Sequence, residues 1–311
     1  MPRVTVVGSA NLDYTVALPR LPRVGETVSS GTLLVNRGGK GANQAVAARR
    51  LGADVRLIGC LGDDESGSAI RRGLAEEGIG VEGLVTAPGV ATGTALIFVD
   101  REGHNQIGVA PGANHRLTVE MARAAEDSIA WAQVLVTQLE VPVAVVRWAL
   151  ETARRHGVPT VLNPAPVQEL SDDLLGLVTY LTPNAGEVAA LTGIEVTDLD
   201  SGRRAAARLC ERGVGTVIIT LGEEGALVCD GATAVHFEAF PVEAIDTTGA
   251  GDAFNGALAV ALAERQSLPD AVRFASAAAA LSVTAAGAAN AMPRRAEVAT
   301  LLAAAGLAKS R

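Results

Sequence analysis

Short β-branched runs alternate along the chain with longer segments rich in Ala, Leu and Arg, and this alternation restricts the fold more than any other feature. The runs predict strands at residues 4–7, 55–58, 134–136, 160–162, 180–182 and 217–219. The intervening segments predict helices, of which the clearest are residues 66–77, 143–155 and 203–212. Strands joined by helices form a mostly parallel sheet with helices on both faces. We therefore predict an α/β fold, a three-layer α/β/α sandwich, as one domain spanning residues 1–311.

Two regions, residues 14–37 and 92–109, interrupt the alternation. The second predicts a hairpin, in which residues 94–99 and 105–109 flank a turn at Asp100-Arg101-Glu102-Gly103. Together the two regions predict a small β-sheet that projects from the sandwich as a lid or an oligomer contact. The alternative is that both regions are surface loops.

Charge and apolar patterning limit the partners that the chain can have. The formal charge is −8, from 26 basic and 34 acidic side chains, and like charges form no block. This balance argues against nucleic acid or an anionic membrane as the main partner and favours a small molecule.

No secretion signal is visible, and no run approaches the ~20 apolar residues of a membrane helix. We expect a cytoplasmic protein, and Cys60, Cys210 and Cys229 are too widely spaced for a zinc site.

Polar residues follow several of the predicted strands at the point where each strand ends. Ligands of open α/β sheets bind outside the carboxyl ends of the strands. Any one of these residues could instead cap a helix or form a turn. Because five occur at equivalent places, we predict a ligand site there, lined by Asn11, Glu140, Asn163, Asn184 and Thr220.

The segment from Asp246 to Asp252, Asp-Thr-Thr-Gly-Ala-Gly-Asp, is the strongest chemical motif. An apolar helix pattern follows it, so Asp252 is predicted at a helix N-terminus. The backbone N–H groups of Gly249, Ala250 and Gly251 can there hold negative charge on a transferred phosphoryl group, while the aspartate takes a hydroxyl proton. The alternative is a glycine-rich turn with an Asp N-cap.

Two other nucleotide-binding motifs are absent. The dinucleotide pattern GxGxxG fails because Phe254 stands where the third glycine belongs, and the Walker A pattern fails because Gly41 follows Lys40. A Rossmann dehydrogenase and a P-loop enzyme are therefore not supported.

A second glycine-rich segment, residues 38–44, precedes an Ala-rich helix predicted at residues 45–50. Its glycines allow close backbone approach, and Lys40 and Asn43 offer donors to a polyhydroxyl ligand. Asn11 and Asp13 add an amide and a carboxylate near the N-terminus. A plain turn and helix cap is the alternative.

Two further segments each allow two interpretations. Residues 220–225, Thr-Leu-Gly-Glu-Glu-Gly, could approach nucleotide phosphates or simply reverse the chain. Asn184 and Glu187 could hold Mg²⁺ through water or cap a helix. The sequence alone leaves both choices open.

These motifs resemble those of the ribokinase (PfkB-type) family of carbohydrate kinases, over essentially the full length of the chain. One family signature matches residues 38–45, Gly-Gly-Lys-Gly-Ala-Asn-Gln-Ala, and the other matches residues 246–254, Asp-Thr-Thr-Gly-Ala-Gly-Asp-Ala-Phe. Within the family, Lys40 with Asn43-Gln44 is more similar to ribokinases than to fructokinases. The resemblance implies transfer of the ATP γ-phosphoryl group to the 5-hydroxyl of D-ribose, with Asp252 as general base.

The resemblance also assigns the remaining site residues. For ribose it implies Asn11, Asp13, Gly39, Lys40, Asn43, Glu140 and Asp252. For ATP it implies Asn184, Thr220, Gly222, Gly225, Gly251 and Ser276. Gly249, Ala250 and Gly251 would form the anion hole, and Glu187 would act on Mg²⁺ through water. The lid strands would form a homodimer in which Ile97 reaches the neighbouring site.

Members of the family also bind K⁺ or another monovalent cation. The resemblance implies a site made by Asp246, Thr248, Ser282, Ala285, Gly287 and Ala291. Ala291 departs from the pattern, since ribokinases usually carry a hydroxyl there, and we expect weakened K⁺ binding. Ser276 replaces a larger side chain near adenine, so we expect looser nucleotide selectivity.

Two rival functions remain. A kinase of the same family could act on a nucleoside or another sugar, which one shell of pocket residues does not exclude. A catalytically silent sugar-binding regulator would not need Asp252, the anion-hole glycines or the Asn184 and Glu187 pair, and these residues argue against it.

Overall fold

The computed structural model describes residues 1–29, 31–102 and 104–306. Its strands, numbered in chain order, are β1 (Arg3–Val7), β2 (Asn11–Ala17), β3 (Thr32–Gly38), β4 (Asp54–Gly62), β5 (Leu84–Ala87), β6 (Gly93–Val99), β7 (Asn105–Ala110), β8 (Val134–Thr137), β9 (Thr160–Leu162), β10 (Tyr180–Leu181), β11 (Thr216–Thr220), β12 (Ala226–Cys229) and β13 (Ala234–Phe237). Its α-helices are α1 (Lys40–Arg50), α2 (Glu65–Glu76), α3 (Val119–Arg123), α4 (Glu126–Trp131), α5 (Val143–Arg155), α6 (Asp172–Leu175), α7 (Ala185–Thr192), α8 (Leu199–Glu211), α9 (Ala250–Ala263), α10 (Leu268–Ser282) and α11 (Arg295–Ala304).

Nine strands form the central sheet, in the order β13-β12-β11-β10-β9-β8-β1-β4-β5. Neighbours from β11 through to β5 pair in parallel, and β12 and β13 add an antiparallel edge. All parallel strands therefore end at one edge of the sheet, where ligands of such folds bind. The predicted α/β class with a mostly parallel sheet is confirmed.

Helices cover both faces of this sheet because its strands are apolar on both sides. In β8, Val134 and Val136 face one core and Leu135 faces the other, and all three are fully buried. The first core joins the sheet to α1, α9 and α10, and the second joins it to α5 and α8. This arrangement is the expected signature of a parallel sheet between two helical layers.

A second sheet, in the order β3-β2-β6-β7, is built from the two regions that interrupt the alternation. Its outer pairs are antiparallel, whereas β2 and β6 are parallel. Each excursion leaves the sandwich and returns beside its own starting point, since Asn11 pairs with Gly38 and Thr94 pairs with Ala110. Gly103 of the predicted hairpin turn lies outside the described residues.

Helix boundaries follow capping residues more closely than apolar periodicity. α5 has the predicted bounds, but α8 begins at Leu199 rather than 203, because Asp198 caps it by accepting the N–H of Ser201 at 2.7 Å. In the part of the chain that the structure describes, no helix combines the length and apolarity needed to cross a bilayer.

Candidate active site

Helix α1 begins inside the first glycine-rich motif. Gly39 precedes it with φ 85°, and a Cβ there would lie 2.8 Å from the backbone nitrogen of Asn11. Only glycine fits this position. The predicted start at residue 45 was therefore wrong, since the glycine conformation lets the helix begin at Lys40. Lys40, Asn43 and Gln44 consequently lie on the first turns of a helix rather than on a loop.

Helix α9 begins in the same way, at Gly249 with φ 81°, and no side chain caps its N-terminus. Asp252 lies in its first turn and is 5% exposed. Its carboxylate bonds to α1, where Asn43 donates Nδ2–H to Oδ2 and Gln44 donates Nε2–H to Oδ1, both at 2.9 Å. Asp252 is thus held by the facing helix and does not serve as an N-cap.

The environment of Asp252 raises the pKa of its carboxyl group. Burial is the largest cause, and it outweighs the lowering effects of the Lys40 charge and of the Asn43 and Gln44 amides. A base works best when its pKa lies near the working pH. A raised pKa and two fixed amide donors suit this carboxylate for taking a proton from a hydroxyl group.

Polar side chains cluster near Asp252, and we call this group, made by Asp13, Lys40, Asn43 and Glu140, the polar pocket. Asp13 on β2 is its second carboxylate. Burial raises the pKa of Asp13 to about 6, and the charges of Glu140 and Asp252 contribute. Oδ1 of Asp13 and Oδ1 of Asn43 are both buried and accept no hydrogen bond from the described residues. Buried acceptors without partners cost free energy. Hydroxyl groups of a sugar are donors that would satisfy them.

Glu140 and Lys40 link this pocket to the start of α1. Glu140 Oε2 accepts the hydroxyl of Ser9 at 2.5 Å and the backbone N–H of Lys40 at 3.0 Å. Burial lowers the pKa of the Lys40 ammonium, but the charges of Asp252, Glu140 and Glu187 raise it overall. Lys40 therefore stays positively charged among three carboxylates.

Several pocket residues were not assigned from the sequence. Asn114 donates Nδ2–H to Asn11 Oδ1 at 2.7 Å and accepts the N–H of Ala10 at 3.0 Å, so it fixes the orientation of the Asn11 amide. Gln138 donates to Gln44 at 2.5 Å. Gln44 lay within the recognised motif, but no local pattern marks Asn114 or Gln138.

A cleft of about 800 Å³ lies beside α9 and α10. All of the residues that the resemblance assigned to ATP line it, namely Asn184, Thr220, Gly222, Gly225, Gly251 and Ser276. Gly251 precedes Asp252 in the chain, so the cleft reaches the residue next to the carboxylate. The segment after β11 also reverses the chain, as the alternative interpretation had it, because β12 returns antiparallel.

Asn184 and Glu187 form a capping box at the start of α7. Asn184 Oδ1 accepts the N–H of Glu187 at 2.8 Å, and Glu187 Oε2 accepts the N–H of Asn184 at 2.9 Å. Burial raises the pKa of Glu187, although the Asn184 bond and the Lys40 charge lower it. Capping is therefore observed, and it leaves the second carboxylate oxygen of Glu187 open to a water-mediated contact.

Asp246 bonds to two of the other residues assigned to a monovalent cation, Thr248 and Gly287. Its Oδ1 accepts the N–H of Thr248 at 2.9 Å and its Oδ2 accepts the N–H of Gly287 at 2.8 Å. These bonds lower the pKa of Asp246 although burial, the largest single influence, raises it. Ser282 is buried and donates to the carbonyl of Ala279 at 2.8 Å. Ala285 and Ala291 can offer a cation only their carbonyl oxygens.

A buried base at the carboxyl edge of a parallel sheet, between a polar pocket and a nucleotide-sized cleft, defines a kinase of small hydroxyl compounds. The model of the pfkB family of carbohydrate kinases matches residues 1–295. The chain belongs to that family.

Similar proteins are named for their sugar substrates. A ribokinase from Haemophilus influenzae is 44% identical over 294 residues, which cover 94% of this chain and 96% of the relative. A deoxyribokinase from Salmonella typhi is 37% identical over 292 residues, covering 93% and 95%. A solved ribokinase from Arabidopsis thaliana, complexed with ribose and ATP, is 33% identical with a TM-score of 0.91, covering 97% of this chain and 98% of that one.

Proposed function

We propose that the chain transfers the γ-phosphoryl group of ATP to the 5-hydroxyl of D-ribose and releases ADP and D-ribose 5-phosphate. The observation that carries this proposal is the position of Asp252. Its carboxylate is buried, both of its oxygens accept amide N–H groups, and it lies between the polar pocket and the cleft. The similar ribokinases and the structure complexed with ribose and ATP support ribose as the acceptor.

The proposed chemistry needs one proton transfer and one in-line displacement. Asp252 takes the proton of the 5-hydroxyl as the hydroxyl oxygen attacks the γ-phosphorus, and the bond to the ADP oxygen breaks. The backbone N–H groups of Gly249 and Gly251, at the N-terminus of α9, would stabilise the negative charge that develops on the phosphoryl oxygens. The N–H of Ala250, which the sequence also assigned to the anion hole, instead donates to the carbonyl of Thr247 at 3.2 Å. Mg²⁺, held through water by Glu187, would neutralise phosphate charge when bound.

We propose that ribose occupies the polar pocket, where Asn11, Asp13, Gly39, Lys40, Asn43 and Glu140 bind it. The two buried acceptors without partners, on Asp13 and Asn43, support this placement because ribose offers hydroxyl donors. The second sheet acts as the lid of a single functional unit. Asn11 and Asp13 lie on its strand β2, so closure of the sheet and ribose binding involve the same strand.

A homodimer through the second sheet is also proposed. Six large apolar side chains on its strands are 49–58% exposed, namely Leu33, Leu34, Val35, Leu96, Ile107 and Val109. An apolar surface of this kind is typical of a protein interface. Ile97 lies on the same face of the sheet as Asp13. Asp13 and Thr15 share a face of β2 because they are two residues apart, and Thr15 pairs with Ile97 on β6. That position supports a contact between Ile97 and the neighbouring site.

K⁺ is proposed as a weak activator, bound by Asp246, Thr248, Ser282, Ala285, Gly287 and Ala291. The residues fit incompletely, because both Asp246 oxygens already accept N–H groups and Ala291 has no side-chain oxygen. Since ATP is the proposed donor, we place the reaction in the cytoplasm.

An ADP-release assay over several acceptors tests the proposal. We expect turnover with D-ribose, and comparison with 2-deoxyribose, fructose and adenosine would measure the selectivity for each hydroxyl. Running each arm with and without KCl measures cation activation. Turnover of adenosine but not of ribose would contradict the assignment of ribose while leaving the kinase class intact.

A further inference from the structure

We propose that Gln44 and Gln138 are positioning residues that orient the Asp252 carboxylate through an ordered chain of amide hydrogen bonds. The inference rests on the proposed function, in which Asp252 is the base. Neither the family match nor the sequence motifs give Gln138 a role. It directly follows strand β8, at the carboxyl edge of the sheet.

The chain of bonds runs from the sheet to the base through Gln44. Gln138 Nε2 donates to Gln44 Oε1 at 2.5 Å, and Gln44 Nε2 donates to Asp252 Oδ1 at 2.9 Å. The same Gln44 nitrogen also donates to Oδ1 of Asn163, which follows β9, at 3.4 Å. Gln44 and Gln138 are both fully buried. The amide that contacts the base is therefore held from two strand ends.

The direction of each bond is fixed by acceptors at the ends of the chain. The Asn163 side chain donates Nδ2–H to the carbonyl of Thr182 at 3.2 Å, so its oxygen must face Gln44. The ionised carboxylate of Asp252 also only accepts. Both acceptors face the NH₂ group of Gln44, so the Gln44 oxygen faces Gln138, and Gln138 must donate.

The position of Gln138 is costly for the fold, which argues for a role beyond packing. Its Oε1 is buried and accepts no hydrogen bond from the described residues. It also sits so close to Gly8 that a Cβ there would lie 2.1 Å from it. An apolar side chain of the same size would avoid the unpaired acceptor. We infer that the role of Gln138 at this position is to donate an N–H to Gln44.

The role predicts a specific pattern of kinetic change. Without the Gln138 donor, only the long contact with Asn163 restrains Gln44, and its N–H holds the base less well. The hydrogen bond from Gln44 stabilises the ionised form of Asp252 and so lowers its pKa. Weakening that bond raises the pKa and moves the acidic limb of the kcat profile to higher pH. Gln138 lies behind Gln44, so ribose affinity should change little.

The test compares Q138M with Q133M in the full chain. Gln133 precedes the same strand and also uses both ends of its amide, accepting from Arg3 N at 3.0 Å and donating to the Ala263 carbonyl at 3.2 Å, away from the site. We expect Q138M to lower kcat about tenfold and to shift the acidic limb up by about half a pH unit, with ribose Kd by calorimetry within about twofold of wild type. Q133M should keep the wild-type profile.

Other outcomes would contradict either the positioning role of Gln138 or the proposed function. Equal pH profiles for Q138M and Q133M, with wild type active, would refute the positioning role. If Q138M lost ribose binding as well as kcat, Gln138 would be a structural residue, and the positioning role would also be refuted. Wild-type protein without ribose-dependent ADP release would instead refute the proposed function.

A Q138E variant tests the direction of the hydrogen bonds, because a neutral buried carboxyl can donate to Gln44 and an ionised one cannot. Its activity should fall as the pH rises.

Discussion

Asp252 is a single side chain on which burial, charge and hydrogen bonding converge. The D252N variant keeps the size of the side chain but cannot take a proton. Its NH₂ group would face one of the two amide donors, so the Asn43 amide must turn its oxygen toward it. We expect kcat to fall by ~10² to 10⁴, since this is the usual loss with a positioned base. Ribose affinity, measured by calorimetry, should stay within a few-fold of wild type. Near-normal ADP release by D252N would rule out the assigned base.

Asp13 gives the ribose pocket a predicted pH response. Its pKa is raised to about 6 from an ordinary value of 3.8, mainly by burial. Sugar hydroxyls donate to the ionised carboxylate, so ribose binding favours deprotonation and strengthens as the pH rises through about 6. Calorimetry should show ribose binding about tenfold weaker at pH 5 than at pH 7. D13N should lose this slope and D252N should retain it; a slope that survives in D13N would assign the titration to another group.

Single residues also show how far the sequence could predict the site. Asp252, Lys40 and Asn43 lie in compact glycine-rich segments whose chemistry can be recognised locally. Asn114 and Gln138 cannot be recognised this way, because their partners Asn11 and Gln44 are 103 and 94 residues away in the chain. Their roles depend on which strand ends meet at the edge of the sheet, and that is a property of the tertiary fold.

At the scale of elements, the site is the meeting of two helix N-termini. α1 and α9 each begin after a glycine with positive φ, and the side chains of Asn43 and Gln44 on one reach Asp252 on the other. The sequence predicted both glycine segments but began α1 five residues late. Apolar periodicity marks the buried middle of a helix, whereas a glycine of positive φ decides where this one begins.

Gly249 tests the importance of the α9 start. An alanine there would need a left-handed conformation, and its Cβ would lie 3.1 Å from Cα of Ala288. We expect G249A to lower the free energy of unfolding by about 2 kcal/mol and to lower kcat, because the N–H groups after it must shift. Gly157 has a similar φ of 67° but open space around it. G157A should therefore cost about 1 kcal/mol in urea unfolding and leave kcat unchanged, and equal kcat values for both variants would contradict this view.

At the scale of the whole molecule, the second sheet presents a cluster of exposed large apolar side chains. Ile107 on β7 is 57% exposed, and Val235 at the far edge of the central sheet is 50% exposed. If the second sheet forms the homodimer, I107E should shift the protein to monomer in sedimentation velocity and raise the KM for ribose. V235E places the same charge at a similarly exposed site and should leave the dimer intact. A wild-type protein that is monomeric would contradict the proposed interface.

The architecture was predictable because four of the parallel strands, β4, β8, β9 and β10, are each followed directly by a helix. The strand order and the parallel pairing of β2 with β6 could not be predicted. In the chain, 75 residues lie between the end of β2 at Ala17 and the start of β6 at Gly93. Local patterns identify both partners as extended, but only packing against the sandwich brings them side by side.

The paired ends of the second sheet have an engineering consequence. Asn11 and Gly38 adjoin, as do Thr94 and Ala110, so each excursion closes on itself and leaves the path of the sandwich continuous. Such segments behave as cassettes. Residues 11–38 and 93–110 could be exchanged as a pair with those of another family member. The exchange would transfer the second sheet together with its proposed dimer contact, while the nucleotide cleft and Asp252 would stay in their original framework.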